Sequence, residues 1–140
     1  MLKVRILVVD DIEFWRERVS SMLRKESSFE IVCEVADGLQ AVLMAEELRP
    51  TIVLLDIGLP RLSGLNAARW IRNLAPKTRI VFLSEQRDLE IVGAALKLGC
   101  GYVLKSDATE DLVAAIRSAA AGEPFVSRQL SGFGLRGNCH

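Results

Sequence analysis

Four short apolar runs in this chain end on residues able to do chemistry. Asp10 and Asp11 follow Ile6-Leu7-Val8-Val9, Asp56 follows Ile52-Val53-Leu54-Leu55, Ser84 follows Ile80-Val81-Phe82-Leu83, and Lys105 follows Tyr102-Val103-Leu104. Three carboxylates brought together repel one another unless a counter-charge neutralises them. A hard divalent cation does this with oxygen ligands. Mg2+ usually takes one or two carboxylates, keeps several waters and accepts a phosphate oxygen. A lysine ammonium is a mobile point charge suited to a phosphate or a carboxylate, and a serine hydroxyl donates to a phosphoryl oxygen. A carboxylate can itself be the nucleophile, forming an aspartyl phosphate. The set points to phosphoryl transfer, which asks mainly for positioning and charge neutralisation, with Asp56 as the candidate acceptor.

These residues meet only if the runs are neighbouring strands of one sheet. The four runs and a fifth, Ile31-Val32-Cys33, are continuous rather than alternating, as expected of strands covered on both faces. Between them lie stretches of helical spacing: Trp15, Val19, Met22 and Leu23; Ala41, Ala45 and Leu48; Leu112, Ile116 and Ala119. Pro50 and Pro76 stand between a helical stretch and the next strand, Gly99 and Gly122 are placed to close helices, and Asp107 with Glu110 has capping-box spacing. The order is β-α repeated five times, an α/β sheet of parallel strands with helices on both faces. Ligands of such sheets sit beyond the carboxyl ends of the strands, where the polar residues fall.

Composition narrows the classes. The 140 residues suit one domain, and 18 basic against 18 acidic side chains give zero net charge, which excludes a strongly basic nucleic-acid-binding body. The only histidine is His140, which excludes a Ser-His-Asp triad and a multi-histidine metal site. Cys33, Cys100 and Cys139 are widely spaced and odd in number, so the expectation is neither a disulfide nor a zinc site but a reducing cytoplasm. No signal-peptide core follows Met1 and no apolar run is long enough to span a bilayer. Residues 122–140 hold four of the ten glycines and read as a flexible linker or tail after a domain over 1–121.

ILVVDD at 6–11, VLLDIGLPRLSG at 53–64, VFLS at 81–84 and GYVLKS at 101–106 together resemble the receiver domain of two-component response regulators. GYVLKS, a helix and then AGEPFVS further resemble the LuxR/NarL-type subfamily. The resemblance covers about residues 3–121. It implies a flavodoxin-like sheet of five strands in the order 2-1-3-4-5 with five helices. It also implies a phosphorelay role: Asp56 accepts a phosphoryl group from the phosphohistidine of a sensor histidine kinase or phosphotransfer protein. Asp10, Asp11, Asp56 and the Gly58 carbonyl would hold Mg2+ (or Mn2+). Ser84 and Lys105 would contact the phosphoryl group and Tyr102 would report the switch, with Glu85 and Gln86 as candidate modulators. By the same resemblance phosphorylation would favour a homodimer and control transcription, through residues 88–121 or through the first and fifth helices. The receiver itself would bind neither DNA nor membrane, and it would be a phosphoacceptor rather than an enzyme.

Three departures stand out. Glu85 follows Ser84 where the family has a small residue, which predicts slower phosphorylation. Ser106 follows Lys105 where many receivers have proline, and a trans bond is expected there because cis costs about 2.5–4 kcal/mol without proline. After GEPFVS there is no space for a helix-turn-helix, so the expectation is a receiver without that output domain. Two other readings stay open: a receiver-like interaction module that works without phosphorylation, and a haloacid-dehalogenase-like phosphatase, although position 58 is Gly58 where the latter needs a second Asp. The Gly99–Ser106 stretch lacks the second glycine of a phosphate-binding loop. Taken singly, the aspartates could be turn formers or caps and Tyr102 an ordinary core aromatic.

Overall fold

A computed structural model describes residues 2–140. The strands are β1 (Val4–Val9), β2 (Phe29–Val35), β3 (Ile52–Leu55), β4 (Arg79–Ser84), β5 (Gly101–Leu104) and β6 (Phe125–Val126). The helices are α1 (Glu13–Arg24), α2 (Gly38–Leu48), α3 (Gly64–Leu74), α4 (Leu89–Leu98) and α5 (Ala108–Ala120), with 3-10 turns at Lys105–Asp107 and Arg128–Phe133. All strand pairs are parallel, in the order β2-β1-β3-β4-β5-β6.

The continuous apolar runs are explained by two cores. Successive residues of a strand point to opposite faces. Leu7, Val9, Val53, Leu55, Phe82 and Leu104 meet Ala41, Ala45, Ala67, Ile71 and Val92 of α2, α3 and α4. Ile6, Val8, Ile52, Leu54, Val81 and Val103 meet Val19 and Leu23 of α1 and Leu112, Ala115 and Ile116 of α5. Because β2 lies to one side of β1 and β3 to the other, the chain crosses over in opposite directions. The crevice between the carboxyl ends of β1 and β3 is the switch point where ligands of such sheets bind.

Two connections matter for that crevice. Gly64 opens α3 against the loop after β3, and a Cβ there would stand 2.0 Å from the Asp56 carbonyl oxygen, so only glycine lets the helix approach so closely. At the far end of α5, Gly122 (φ 79°) ends the helix in a Schellman motif: its N–H donates to the Ala119 carbonyl and the Glu123 N–H to that of Ser118.

The structure corrects four expectations. Among the described residues the sheet has six strands, not five, because Phe125–Val126 pairs with β5 in the register Gly101↔Phe125 and Tyr102↔Val126. Two apolar residues are too few to carry a period, so only the exposed edge of β5 reveals them as a strand. The same pairing means that residues 122–140 do not simply trail away: Leu130 is buried against the core, and Cys139 is joined to Cys100 by a disulfide across 39 residues. Spacing alone gave no hint of that pair, since the return of the segment along β5 is what brings the two cysteines together. Finally, Asp107 forms no capping box. A 3-10 turn intervenes before α5, and the Asp107 side chain makes no cap bond; it accepts instead from the Gln129 side-chain amide, 2.7 Å away. There is no cis peptide among the described residues, Lys105–Ser106 included, and no helix among them is long and apolar enough to cross a membrane.

Candidate functional site

The carboxyl ends of β1, β3, β4 and β5 bring together every polar residue singled out from the sequence. Lys105 is the hub. Its ammonium is buried and lies 2.9 Å from Asp10 Oδ2 and 3.1 Å from Asp56 Oδ2. Each carboxylate gives its other oxygen to a backbone donor one or two residues ahead: Ile12 N–H reaches Asp10 Oδ1 at 2.9 Å, and Ile57 N–H reaches Asp56 Oδ1 at 2.7 Å. Both carboxylates are therefore fixed by a turn and by a charge. Arg16, one turn into α1, donates to the Asp10 backbone carbonyl at 2.8 Å and ties the helix start to the end of β1. Asp11 is exposed at the mouth of the site.

The electrostatics follow from burial. Burial pushes the Asp10 carboxyl above the ordinary value of 3.8, against the opposing pull of the Ile12 N–H and the Lys105 ammonium; the Asp56 charge pushes in the same direction as burial. Burial alone pulls Lys105 down, but the hydrogen bond with Asp10 and the charges of Asp56 and Asp10 together outweigh it and hold the ammonium above 10.5. Three carboxylates and one ammonium give the site a formal charge of −2. One oxygen from each aspartate lies within 4.8 Å of the others. Three hard oxygen donors with a residual double negative charge fit a hard divalent cation. The cleft beside them, about 290 Å3, is lined by Asp11, Asp56, Gly58, Ser84, Glu85, Gln86 and Lys105, with Ile12 and Ile57 as its apolar wall.

The β4 side carries the remaining candidates. Ser84 Oγ is buried and accepts from the Gln86 N–H at 3.1 Å. The Tyr102 ring is fully buried between the sheet and α4, and its hydroxyl donates to the Gln86 carbonyl at 2.7 Å. Burial pushes that phenol up to about 12. Gln86 is thus held at its N–H by Ser84 and at its carbonyl by Tyr102. Glu85, between them, is exposed and stands at the rim of the cleft.

Some neighbours escaped sequence reasoning. Trp15 places its ring 5.1 Å from the Lys105 ammonium, a cation–π contact that shields one side of the lysine. Its position four residues after Asp11, one helical turn on, was the available signal. Arg87 bridges the loops after β4 and β5 by donating to Ser106 Oγ at 2.9 Å and to the Gln129 side-chain oxygen at 2.7 Å. No local pattern links those three residues, so that bridge had no signal in the sequence.

The family model of the response regulator receiver domain matches residues 6–117. The chain belongs to this family. It is 33% identical over 125 residues to the transcriptional regulatory protein DegU of Brevibacillus brevis, covering 89% of this chain and 53% of DegU. It is 36% identical over 127 residues to the nitrate/nitrite response regulator NarL of Escherichia coli K12, covering 90% of this chain and 59% of NarL. The chain thus spans little more than half the length of these curated relatives. Among solved structures, a LuxR-family response regulator from Aurantimonas superposes with a TM-score of 0.88 at 30% identity, covering 93% of this chain and 94% of that one. The receiver domain of the NarL regulator from Mycobacterium tuberculosis does so at 0.83 and 31%, covering 88% and 100%. The protein is a receiver domain of the NarL/LuxR type on the flavodoxin-like fold, and its relatives include transcriptional regulatory proteins such as DegU.

Proposed function

We propose that this receiver accepts a phosphoryl group on Asp56 from the phosphohistidine of a sensor histidine kinase or phosphotransfer protein in the cytoplasm. The observation that carries this reading is the buried Lys105 ammonium held between Asp10 and Asp56 beside a cleft open to an incoming group. An Asp56 oxygen attacks phosphorus, the new P–O bond forms as the P–N bond to the donor breaks, and the imidazole leaves. Lys105 keeps the carboxylate in place before attack and offers its charge to the phosphoryl oxygens afterwards. Ile57 N–H holds the other Asp56 oxygen, so the attacking geometry is set before the donor arrives. Asp10, Asp11, Asp56 and the Gly58 carbonyl are the residues to hold Mg2+ (or Mn2+), which when bound neutralises phosphoryl oxygens during transfer.

Ser84 Oγ donates to the phosphoryl group once it arrives and gives up the Gln86 N–H. Because Gln86 is also held by Tyr102, this movement reaches the loop after β4 and biases a two-state surface. A homodimer formed on phosphorylation and control of transcription by the whole regulator are the output proposed by analogy with the relatives. In this reading the receiver is a phosphoacceptor, not an enzyme acting on a separate substrate.

The test is incubation with Mg2+ and a small phosphodonor such as acetyl phosphate, followed by intact-mass measurement. A gain of one phosphoryl group that Asp56→Asn abolishes is the expected result. No gain under any donor would refute the proposal and leave the phosphorylation-independent interaction module standing.

A further inference from the structure

The segment after α5 is held on the receiver at two places. At the first, Phe125 N–H donates to the Cys100 carbonyl at 3.2 Å and Ser127 N–H to the Tyr102 carbonyl at 2.9 Å, while Ser127 Oγ accepts from Leu104 N–H at 2.8 Å. Leu130 then enters the core on the α4 side, and Gln129 binds Arg87, Ser106 and Asp107. At the second, Asn138 N–H donates to the Gly99 carbonyl at 2.8 Å and its side-chain amide to the Lys97 carbonyl at 3.1 Å. Cys139 is bonded there to Cys100. Between the two anchors Phe133 is exposed and the segment crosses without backbone bonds to the sheet.

We infer that Cys100 and Cys139 are a reversible dithiol/disulfide pair that clips residues 123–140 across the β5 edge, and that a cellular dithiol reductant releases the clip. The inference rests on the cytoplasmic setting proposed above, where a disulfide is transient or redox-sensing rather than structural. Its test reads the bond and the segment directly, without phosphorylation, so it can fail while the phosphoacceptor reading stands.

The position of the pair makes it a lever. Cys100 is buried just before β5, whereas Cys139 is half-buried at the second anchor, so the attack is assigned to the more exposed residue, Cys139. A thiolate of the reductant attacks it, the Cys100 thiolate leaves and takes up a proton, and the mixed disulfide forms. The reductant's second thiol then displaces the Cys139 thiolate, which is protonated in turn. Two electrons and two protons pass to the protein, and the reductant ends as a disulfide. What the bond restrains is the far end of a segment that also carries a strand and a glutamine, so its opening leaves the first anchor to hold them alone. Loss of β6 uncovers the N–H and C=O groups of β5, a ready edge for pairing. Withdrawal of Gln129 leaves Arg87 and Ser106, which stand directly beside the loops carrying Ser84 and Lys105, without their shared partner.

The experiment uses the full chain carrying Cys33→Ser, so that only this pair can react. Oxidised glutathione should give a protein lighter by two hydrogens, and dithiothreitol at millimolar concentration should reverse this in the folded state. On reduction, amide hydrogen exchange at residues 125–138 should accelerate about tenfold or more while the β1, β3 and β4 amides stay protected. Cys139→Ser, which leaves buried Cys100 in place, should exchange like the reduced protein in either buffer. Two thiols that stay unpaired in excess oxidised glutathione, a bond that dithiothreitol cannot open without unfolding, or equal exchange in both states would each overturn the inference.

Discussion

Tyr102 is the only tyrosine in the chain, so its ionisation is readable from tyrosinate absorbance alone. Burial pushes its phenol from 10.0 up to about 12, which means that the folded protein holds the phenolic proton more tightly than the unfolded chain. The stability linked to that proton is complete below about pH 10 and is lost as the pH rises from about 10 to about 12. Two units amount to about 2.7 kcal/mol at most, and about 1.4 kcal/mol of it is gone by roughly pH 11. Tyr102→Phe removes both the proton and the hydrogen bond to the Gln86 carbonyl, and the lost bond costs about 1 kcal/mol. Near about pH 8 the variant should therefore be less stable by that amount. At about pH 11 the gap should close or reverse, because only the parent pays for keeping a phenol neutral. Other titrations are shared by both proteins and cancel in the difference. Urea unfolding of both proteins across this range, with the tyrosinate titration of the folded parent, is the assay. A folded-state tyrosinate midpoint near the ordinary value, or a stability gap that ignores pH, would refute the reasoning.

Three further outcomes are expected. Lys105→Met removes the one positive charge between Asp10 and Asp56 and should cost about 3–5 kcal/mol in chelator at neutral pH, measured by urea unfolding. The loss should shrink as the pH falls and Asp10, already held above its ordinary value by burial, takes up a proton. Mg2+ should stabilise this variant more than the parent, since the site goes from −2 to −3. Glu85→Ala takes a carboxylate from the rim of the cleft and should raise the rate of labelling by a small anionic phosphodonor, most clearly at low salt; an unchanged rate would mean that Glu85 stays in solvent away from the donor. Gly64→Ala forces a Cβ onto the Asp56 carbonyl oxygen, so a loss of about 1–3 kcal/mol should come with slower labelling because the acceptor loop must move.

Much of the receiver was legible because its signals are local. Continuous β-branched and aliphatic runs such as Ile52-Val53-Leu54-Leu55 suit strands covered on both faces, and a polar residue directly after such a strand stands at its carboxyl end. Asp10, Asp56, Ser84 and Lys105 are found there. The sixth strand, the Cys100–Cys139 bond and the Arg87–Gln129–Ser106 bridge were not legible, because each joins residues far apart in sequence through the return of one short segment along β5. Asp107 shows the same limit in reverse. Its spacing to Glu110 was that of a capping box, but the tertiary partner Gln129 took the carboxylate.

By itself, then, the sequence determined the alternating strands and helices, the edge of the sheet that carries the chemistry and the residue types gathered there, because periodicity and strand ends are properties of neighbouring residues. Only the tertiary structure decided which atoms pair. It alone set Lys105 between two carboxylates, turned the Tyr102 hydroxyl to the Gln86 carbonyl and folded the last residues back over β5. Those outcomes depend on burial and on distances between elements that no local pattern encodes.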